Sequence, residues 1–472
     1  MTAHPSAAGR SSRPWALALT SVAFFMAALD TLVVITALPA IHRQLGADLA
    51  TLEWTVNAYS LTAAAGIVTA AALGDRLGRR RLFIAGLLLF TVASAACALA
   101  PGAEVLIAAR AVQGVGAAVI APLSLTLLTA AFPPERRGAV VGVWGGLAGL
   151  AVASGPLIGG AITQGLDWHW IFWVNVPIGA AAALLSRLRL SESRGPQTRL
   201  DLPAVGLVTG GALAVVWGLV RASDVGWGSP RTVAALGLGM LLMAGFLLWE
   251  RRAPAPLLPP RLFRNRAFAA ASAAAFLMNA GLMAAAFLTS QYLQVVLGYR
   301  PLSAGLHFLP MTATPILVAP LAGMLSDRVG QRPVMVVGLT LLSAGLAWLA
   351  LVAAPSVAYG HLVAPLIVAG VGVSMALATA ATAALGAVAL GDLGKASGTA
   401  NTLQRFGGVF GIAAATAVFD ANGHLGTAAA FNAGFRPALA LAAGLAALGA
   451  LAALGVIGPR RPEAVGREPA AA

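Results

Sequence analysis

Long apolar stretches and short polar gaps alternate along this 472-residue chain fourteen times over. The stretches run at roughly 15–40, 54–73, 82–100, 104–131, 139–163, 169–188, 202–221, 232–249, 267–297, 302–325, 333–353, 361–390, 402–420 and 435–457. A bilayer core about 30 Å thick is crossed by about 20 residues at the helical rise of about 1.5 Å per residue. Each stretch therefore predicts a spanning helix, and the expected fold is an all-α integral membrane protein with 14 transmembrane helices. The basic residues fall almost wholly on alternate gaps. With a cytoplasmic N-terminus, only Arg43, Arg221, Arg231, Arg300 and Arg436 lie outside, and Arg110 lies within a helix. That bias is the orientation signal of a polytopic protein and places the tails 1–14 and 458–472 in the cytoplasm.

Composition excludes the soluble alternatives. Hydrophobic residues make up 59% and charged residues 10% of the chain, too little charge to cover a soluble surface. A net charge of +14 would suggest nucleic acid in a soluble protein, but here the arginines sit in short loops beside helix ends, facing anionic headgroups. No nucleic-acid partner is expected. Cys97 is the only cysteine, which excludes an intramolecular disulfide or a thiolate metal cluster. The first stretch follows Arg10 and Arg13 as a signal peptide would, yet it outruns a signal's apolar region and carries Asp30 and Pro39. It reads as an uncleaved spanning helix.

The chain repeats itself. The loop after the second stretch reads GDRLGRRR from Gly74 to Arg81, and the loop after the tenth reads SDRVGQRP from Ser326, so the pattern Asp-Arg-x-Gly-x-Arg recurs 252 residues later. At the same offset Gly155 and Gly159 match Gly407 and Gly411. Two matches at one spacing argue for two six-helix units, 15–188 and 267–457, with an inserted helix pair and its Pro- and Arg-rich linkers at 189–266. The rival is two unrelated domains with a chance glycine match.

At these residues the chain resembles the 14-helix drug:proton antiporters of the major facilitator superfamily. The resemblance runs over nearly the whole chain, through LDTLVVITALP (Leu29 to Pro39), Trp54 to Leu61, GDRLGRRR, RAVQGVGAA (Arg110 to Ala118), FPPERRG (Phe132 to Gly138), GPLIGG (Gly155 to Gly160) and WHWIFWVNVPIG (Trp168 to Gly179). Ala71 and Ala151 stand where the family's motifs carry glycine. The resemblance implies a coupling carboxylate in the first motif, and its glycine motif in the fifth helix, Gly155, Pro156, Gly159 and Gly160, favours efflux over uptake.

Asp30 is a carboxylate among Ala27, Ala28, Leu29, Leu32 and Val33, where desolvation disfavours its charge and a functional role is the default. A permanently paired residue that locks helix packing is the alternative. Asp30 lies 16 residues after Pro14, about 24 Å up, and Arg110 six residues after Glu104, about 9 Å in from the other side, so the two share a level. Arg110 can hold Asp30 ionised until a proton or cationic substrate arrives; its alternative is snorkelling to the headgroups. At the repeat offset Asp30 maps to Leu282 and Arg110 to Leu362, which puts proton coupling in the first half alone. In the repeated loops, Gly74, Asp75, Arg76, Gly78, Arg79 and Arg80, with Asp327, Arg328 and Arg332, read as a cytoplasmic gate, Asp75 facing a helix N-terminus and Arg79 reaching a carboxylate or helix carbonyls. Simple positive-inside topology explains the arginines equally. Gly155, Gly159 and Gly160 permit close packing, and Pro156 bends its helix.

A cavity for a hydrophobic substrate needs aromatic and soft side chains with few polar groups. Candidates are Phe24, Phe25, Met26, Trp54, Asn57, Tyr59, Gln113, Asn279, Gln291, Tyr292 and Gln294. The six histidines show no ligand spacing, no phosphate-binding glycine loop exists, and serines lack a His/Asp partner, so no enzyme, metal or cofactor is expected. The sequence reads as a monomeric, proton-driven exporter of lipophilic, cationic or neutral small molecules in the cytoplasmic membrane, working by alternating access. A metabolite importer is the first rival, and a membrane-embedded enzyme or receptor the second.

Overall fold

The computed structural model describes residues 8–46, 48–194, 201–226, 228–253, 260–388 and 393–456. All regular structure among them is helical. The first half comprises α1 (Ala8–Leu45), α2 (Leu49–Leu77), α3 (Arg79–Ala98), α4 (Ala103–Ala131), α5 (Pro134–Gly165) and a sixth span broken into α6 (Trp170–Trp173) and α7 (Asn175–Arg189). Two helices follow, α8 (Leu202–Val225) and α9 (Pro230–Glu250), then the short α10 (Pro260–Arg264). The second half comprises α11 (Arg266–Gln291) with a π-helical turn (Tyr292–Val296), α12 (Pro301–Thr312) and α13 (Thr314–Val329) as one broken span, α14 (Gln331–Val352), α15 (Gly360–Gly386), α16 (Leu393–Asn422) and α17 (Ala428–Ala453).

Eleven of these helices or helix pairs are long and apolar enough to cross a membrane, twelve when the bent α2 counts as one. With α5 and α8 the number is compatible with fourteen spans. Their outer faces are apolar: Leu317 is 74% and Leu351 71% exposed, as lipid-facing residues must be when backbone polar groups are satisfied within each helix. The breaks have local causes. Pro177 and Pro315 lack the N–H that would bond the carbonyl four residues back, and near the second break the Thr314 hydroxyl donates to the Met311 carbonyl instead, at 2.8 Å. The two repeated loops turn on glycines in the left-handed region, Gly78 at φ 107° and Gly330 at φ 88°.

Glycine contacts display the internal repeat and correct its register. A side chain at Gly155 or Gly159 would strike Leu32 and Thr36 of α1, and one at Gly407 or Gly411 would strike Phe276 and Ala280 of α11, so the glycines keep the 252-residue offset while their partners on α11 fall eight residues short of it. In contrast, Gly114 lies on Tyr59 and Thr62 of α2 while Gly370 lies on Met311 and Thr314. The α2 partners keep the offset, but α15 has gained four residues, about one turn, relative to α4. Arg110 therefore corresponds to Leu366 rather than Leu362. Both leucines are buried, so the second half still lacks this charge.

The halves are hydrogen-bonded to one another at one end. Ser290 donates to the Ile35 carbonyl at 3.3 Å, Gln294 to that of Thr36 at 3.0 Å, the Leu302 amide to Gln164 at 3.2 Å, and Thr312 to the Ala153 carbonyl at 3.4 Å. Gly160 lies under the Pro301 carbonyl and Gly305 under that of Pro156. These residues lie toward the C-terminal ends of α1 and α5 and on α11 and α12. At the opposite end the Gly74–Arg81 loop bonds within its own half.

Candidate functional site

Asp30 and Arg110 meet directly. Asp30, on α1, is 3% exposed and Arg110, on α4, is wholly buried. Arg110 Nη1 donates to Asp30 Oδ2 and, at 2.7 Å, to Gln113 Oε1. Its Nε donates to the Thr55 carbonyl of α2 at 2.8 Å. The other carboxylate oxygen accepts from Gln113 Nε2 and from Asn175 Nδ2, each at 3.0 Å, and both amides also reach Ser94 Oγ of α3, at 2.6 and 3.3 Å. The guanidinium lies 4.2 Å from the Tyr59 ring centroid and 5.7 Å from that of Phe172. All of these residues belong to the first half.

Asp30 thus accepts three hydrogen bonds, and its charge is opposed by a guanidinium on one side only. A proton on Asp30 would leave Arg110 without its counter-charge. Arg110 Nη2 has no partner, so the guanidinium retains a donor for a second acceptor. Burial of Arg110 rules out snorkelling in this state. Ser94 and Asn175 escaped the sequence reading; Ser94 lies three residues before Cys97 on an otherwise apolar helix, and Asn175 within the run that opens the sixth span.

The first repeated loop closes on its own half. Arg79 pairs with Asp75, Nη2 to Oδ1 at 2.7 Å, while the carboxylate at the α3 N-terminus is Glu192, accepting from the Arg80 amide at 2.9 Å. Arg80 Nη1 donates to the Leu190 carbonyl at 2.9 Å, and the Arg79 amide to that of Ser193 at 2.9 Å. The expectation that Asp75 faces a helix N-terminus is corrected here: Glu192 caps α3, because Gly78 turns the chain so that the new amides point toward the end of α7. Gly74 packs on Leu123, and Arg76 is exposed. Asp327, Arg328 and Arg332 are exposed and form no ion pair among the described residues.

The cavity candidates separate. Met26 and Tyr59 pack inside the first half, the Tyr59 hydroxyl donating to the Ala27 carbonyl at 2.7 Å, and Phe24 stacks on Trp144. Tyr292 stacks on Phe435 with its hydroxyl on the Ala354 carbonyl, and Gln113 belongs to the Asp30 network. These five are taken up by packing or by the network. Asn57 is buried and donates to Glu53, and Gln294 spans the closed end. Trp54 packs against the Leu61–Val409 contact between the halves, Asn279 donates to the Gln404 carbonyl, Phe25 is partly exposed, and Gln291 is buried with its amide nitrogen unpartnered.

One charge was misplaced by the sequence bookkeeping. Arg405 was counted with the cytoplasmic arginines; it lies twelve residues into α16, between the halves. The Gly-, Thr- and Asn-rich start of α16 is polar enough for the apolar stretch to have seemed to begin just before it.

Two six-helix bundles of repeated architecture, the first holding a buried charge network, define a membrane transporter fold. The chain belongs to the Major Facilitator Superfamily, whose model matches residues 20–319 and 271–472. It is 37% identical over 347 residues to the tetracenomycin C resistance and export protein of Streptomyces glaucescens, covering 73% of this chain but only 64% of that protein, just under two thirds. It is 35% identical over 421 residues to the cephamycin export protein of Amycolatopsis lactamdurans, covering 86% of each. A bacterial homologue of the human lysosomal transporter Spinster, solved inward-facing and unoccupied, superposes with a TM-score of 0.68 at 16% identity over 96% of this chain and 99% of that one. That likeness speaks for the fold alone. The protein is a multi-pass membrane protein of that superfamily.

Proposed function

We propose that this protein exports lipophilic small molecules, such as drugs or antibiotics, across the cytoplasmic membrane in exchange for protons, as a monomer with both termini in the cytoplasm. The observation that carries the reading is the Asp30–Arg110 network, a carboxylate held between one arginine and two amides at membrane depth. Relatives named for export and resistance support the direction. With cytoplasmic termini, the end where the halves meet is the outer one and the open end faces the cytoplasm. Lipophilic substrate enters there. Protonation of Asp30 from outside removes the charge that holds Arg110 toward α1, and the resulting rearrangement of α1 against α4 biases the halves between their two arrangements. Substrate binding and proton loading then favour opposite states.

The test is an inverted-vesicle assay with an imposed proton gradient and a panel of lipophilic antibiotics and dyes. Addition of a substrate is expected to dissipate the gradient and to drive the compound into the lumen. Accumulation that is indifferent to a protonophore would remove the antiport reading, and release from the lumen on energisation would turn export into import.

The Asp75–Arg79 pair is proposed to latch the cytoplasmic end when it closes. In the open state it is held within its own half, ready to meet the other. Asp75→Ala and Arg79→Ala are expected to lower the transport rate by about fivefold or more, the effect of a coupling of 1–3 kcal/mol, while substrate affinity at equilibrium changes little. Wild-type rates in both variants would remove the gate assignment and leave positive-inside topology as the loop's role.

A further inference from the structure

Arg405 takes no part in the Asp30 network. Its helix, α16, crosses α2 of the other half, and the contact is built from Val409, Phe406, Leu61 and Trp54. Arg405 is one turn below Val409 on the same face, toward the open end, and is partly exposed there. Twelve residues from the start of α16 place it about 18 Å along the helix, near its middle. Tyr59 is the one ionisable group among the described residues close enough to interact with it electrostatically, and no carboxylate there lies within ion-pair distance. Thr402, three residues earlier on the same face, is 5% exposed and its hydroxyl has no hydrogen-bond partner. A guanidinium and a hydroxyl thus stand together at mid-membrane depth with donors to spare.

A cation at mid-membrane depth without a counter-charge is costly, and the planar fork of a guanidinium matches an oxyanion in two parallel hydrogen bonds. Asp30 and Arg110 pair with each other, whereas Arg405 has no carboxylate within ion-pair distance among the described residues, so its positive charge stands uncompensated beside the contact between the halves. A cationic substrate would meet that charge with nothing to offset it.

We propose that Arg405, with the Thr402 hydroxyl, is the anion subsite of the substrate cavity, so that the molecules carried are lipophilic organic acids bound through an ionised carboxylate or sulfonate. The proposal rests on the export reading and replaces the cationic or neutral class expected from Asp30. Asp30 is engaged by Arg110, Gln113 and Asn175 within the first half, whereas Arg405 stands on the second, so the proton and the acid group occupy separate sites, and exclusion between them runs through the equilibrium of the two halves. An inside-negative membrane potential assists the exit of an anion as well as the entry of a proton.

The experiment compares 1-pyrenecarboxylate with 1-pyrenecarboxamide, probes of one shape and two charges, binding to the full chain in lipid nanodiscs. Wild-type protein is expected to bind the carboxylate about tenfold more tightly, as for a charge-assisted bidentate pair. Arg405→Gln is expected to bring the two affinities together by weakening the carboxylate alone, the retained carboxamide binding showing an intact cavity. Thr402→Val, a near-isosteric change, is expected to weaken the carboxylate about threefold and leave the carboxamide unchanged. Equal affinities in the wild type, or a carboxylate preference that survives Arg405→Gln, would overturn the proposal. If Arg405→Gln does not fold, the Thr402→Val comparison decides, and equal weakening of both probes overturns it. Gradient-driven accumulation of neutral or cationic compounds in the vesicle assay, with no probe preference here, leaves the exporter reading standing and removes only the anion site.

Discussion

Asp30→Asn is expected to abolish gradient-driven accumulation while the protein still binds substrate. Asparagine is nearly isosteric and can accept from Gln113 and Asn175, but it cannot carry the titrating proton. It also strips Arg110 of its counter-charge inside the membrane, and removing one partner of a buried pair costs about 3–5 kcal/mol. A fall in thermal stability is therefore part of the expected result. The double variant Asp30→Asn, Arg110→Gln should recover much of that stability, because no lone charge is left, and should still fail to couple. Proton release from purified protein on substrate addition, followed with a pH dye, separates the two effects: wild type releases protons, neither variant does. Concentrative transport by Asp30→Asn together with proton release would reduce Asp30 to a packing residue and place coupling elsewhere.

Gly160→Val should disable transport by a different route, holding the halves apart at the end where they now meet. A Cβ at Gly160 would lie 2.3 Å from the Pro301 carbonyl oxygen, an approach backbone atoms cannot make, so α5 and α12 must separate. Overpacking of this kind costs about 1–3 kcal/mol. Because the contact joins two bodies that are free to separate, the strain is relieved by opening. Gly159→Val is the informative comparison. Its Cβ would strike Thr36 Oγ1 and the Val33 carbonyl of α1, inside one half, so the strain persists in every state and appears as lost stability. Spin labels on cysteines at Gly165 and Leu306, in a Cys97→Ser background, report the difference as a longer inter-label distance in Gly160→Val. An unchanged distance with unchanged transport would make Gly160 a packing glycine and nothing more.

The same pair of glycines shows where sequence reading stops. Gly159 and Gly160 are adjacent in one motif, and nothing in their order distinguishes the residue that holds a bundle together from the one that meets the other bundle; the difference is a turn of 100° about the helix axis, realised only when α1 and α12 lie on either side of α5. Arg405 and Arg110 make the complementary case. Arg110 stands out because its neighbours are apolar, whereas Arg405 follows a polar run and reads as the cytoplasmic edge of the 402–420 stretch until the helix is seen to begin at Leu393.

The sequence by itself determined the all-helical membrane architecture, the repeat of two halves and the shared depth of Asp30 and Arg110, because these follow from quantities accumulated along the chain: apolar length, offset and rise per residue. Tertiary structure alone decided the rest. It set the four-residue shift of α15 against α4, brought in Ser94 and Asn175 as the amide and hydroxyl partners of the Asp30 network, gave the α3 cap to Glu192, and left Arg405 unpaired between the halves. The physical reason is that hydrogen bonds and ion pairs act over about 3 Å, and which groups come that close is fixed by how helices distant in sequence pack and turn about their axes.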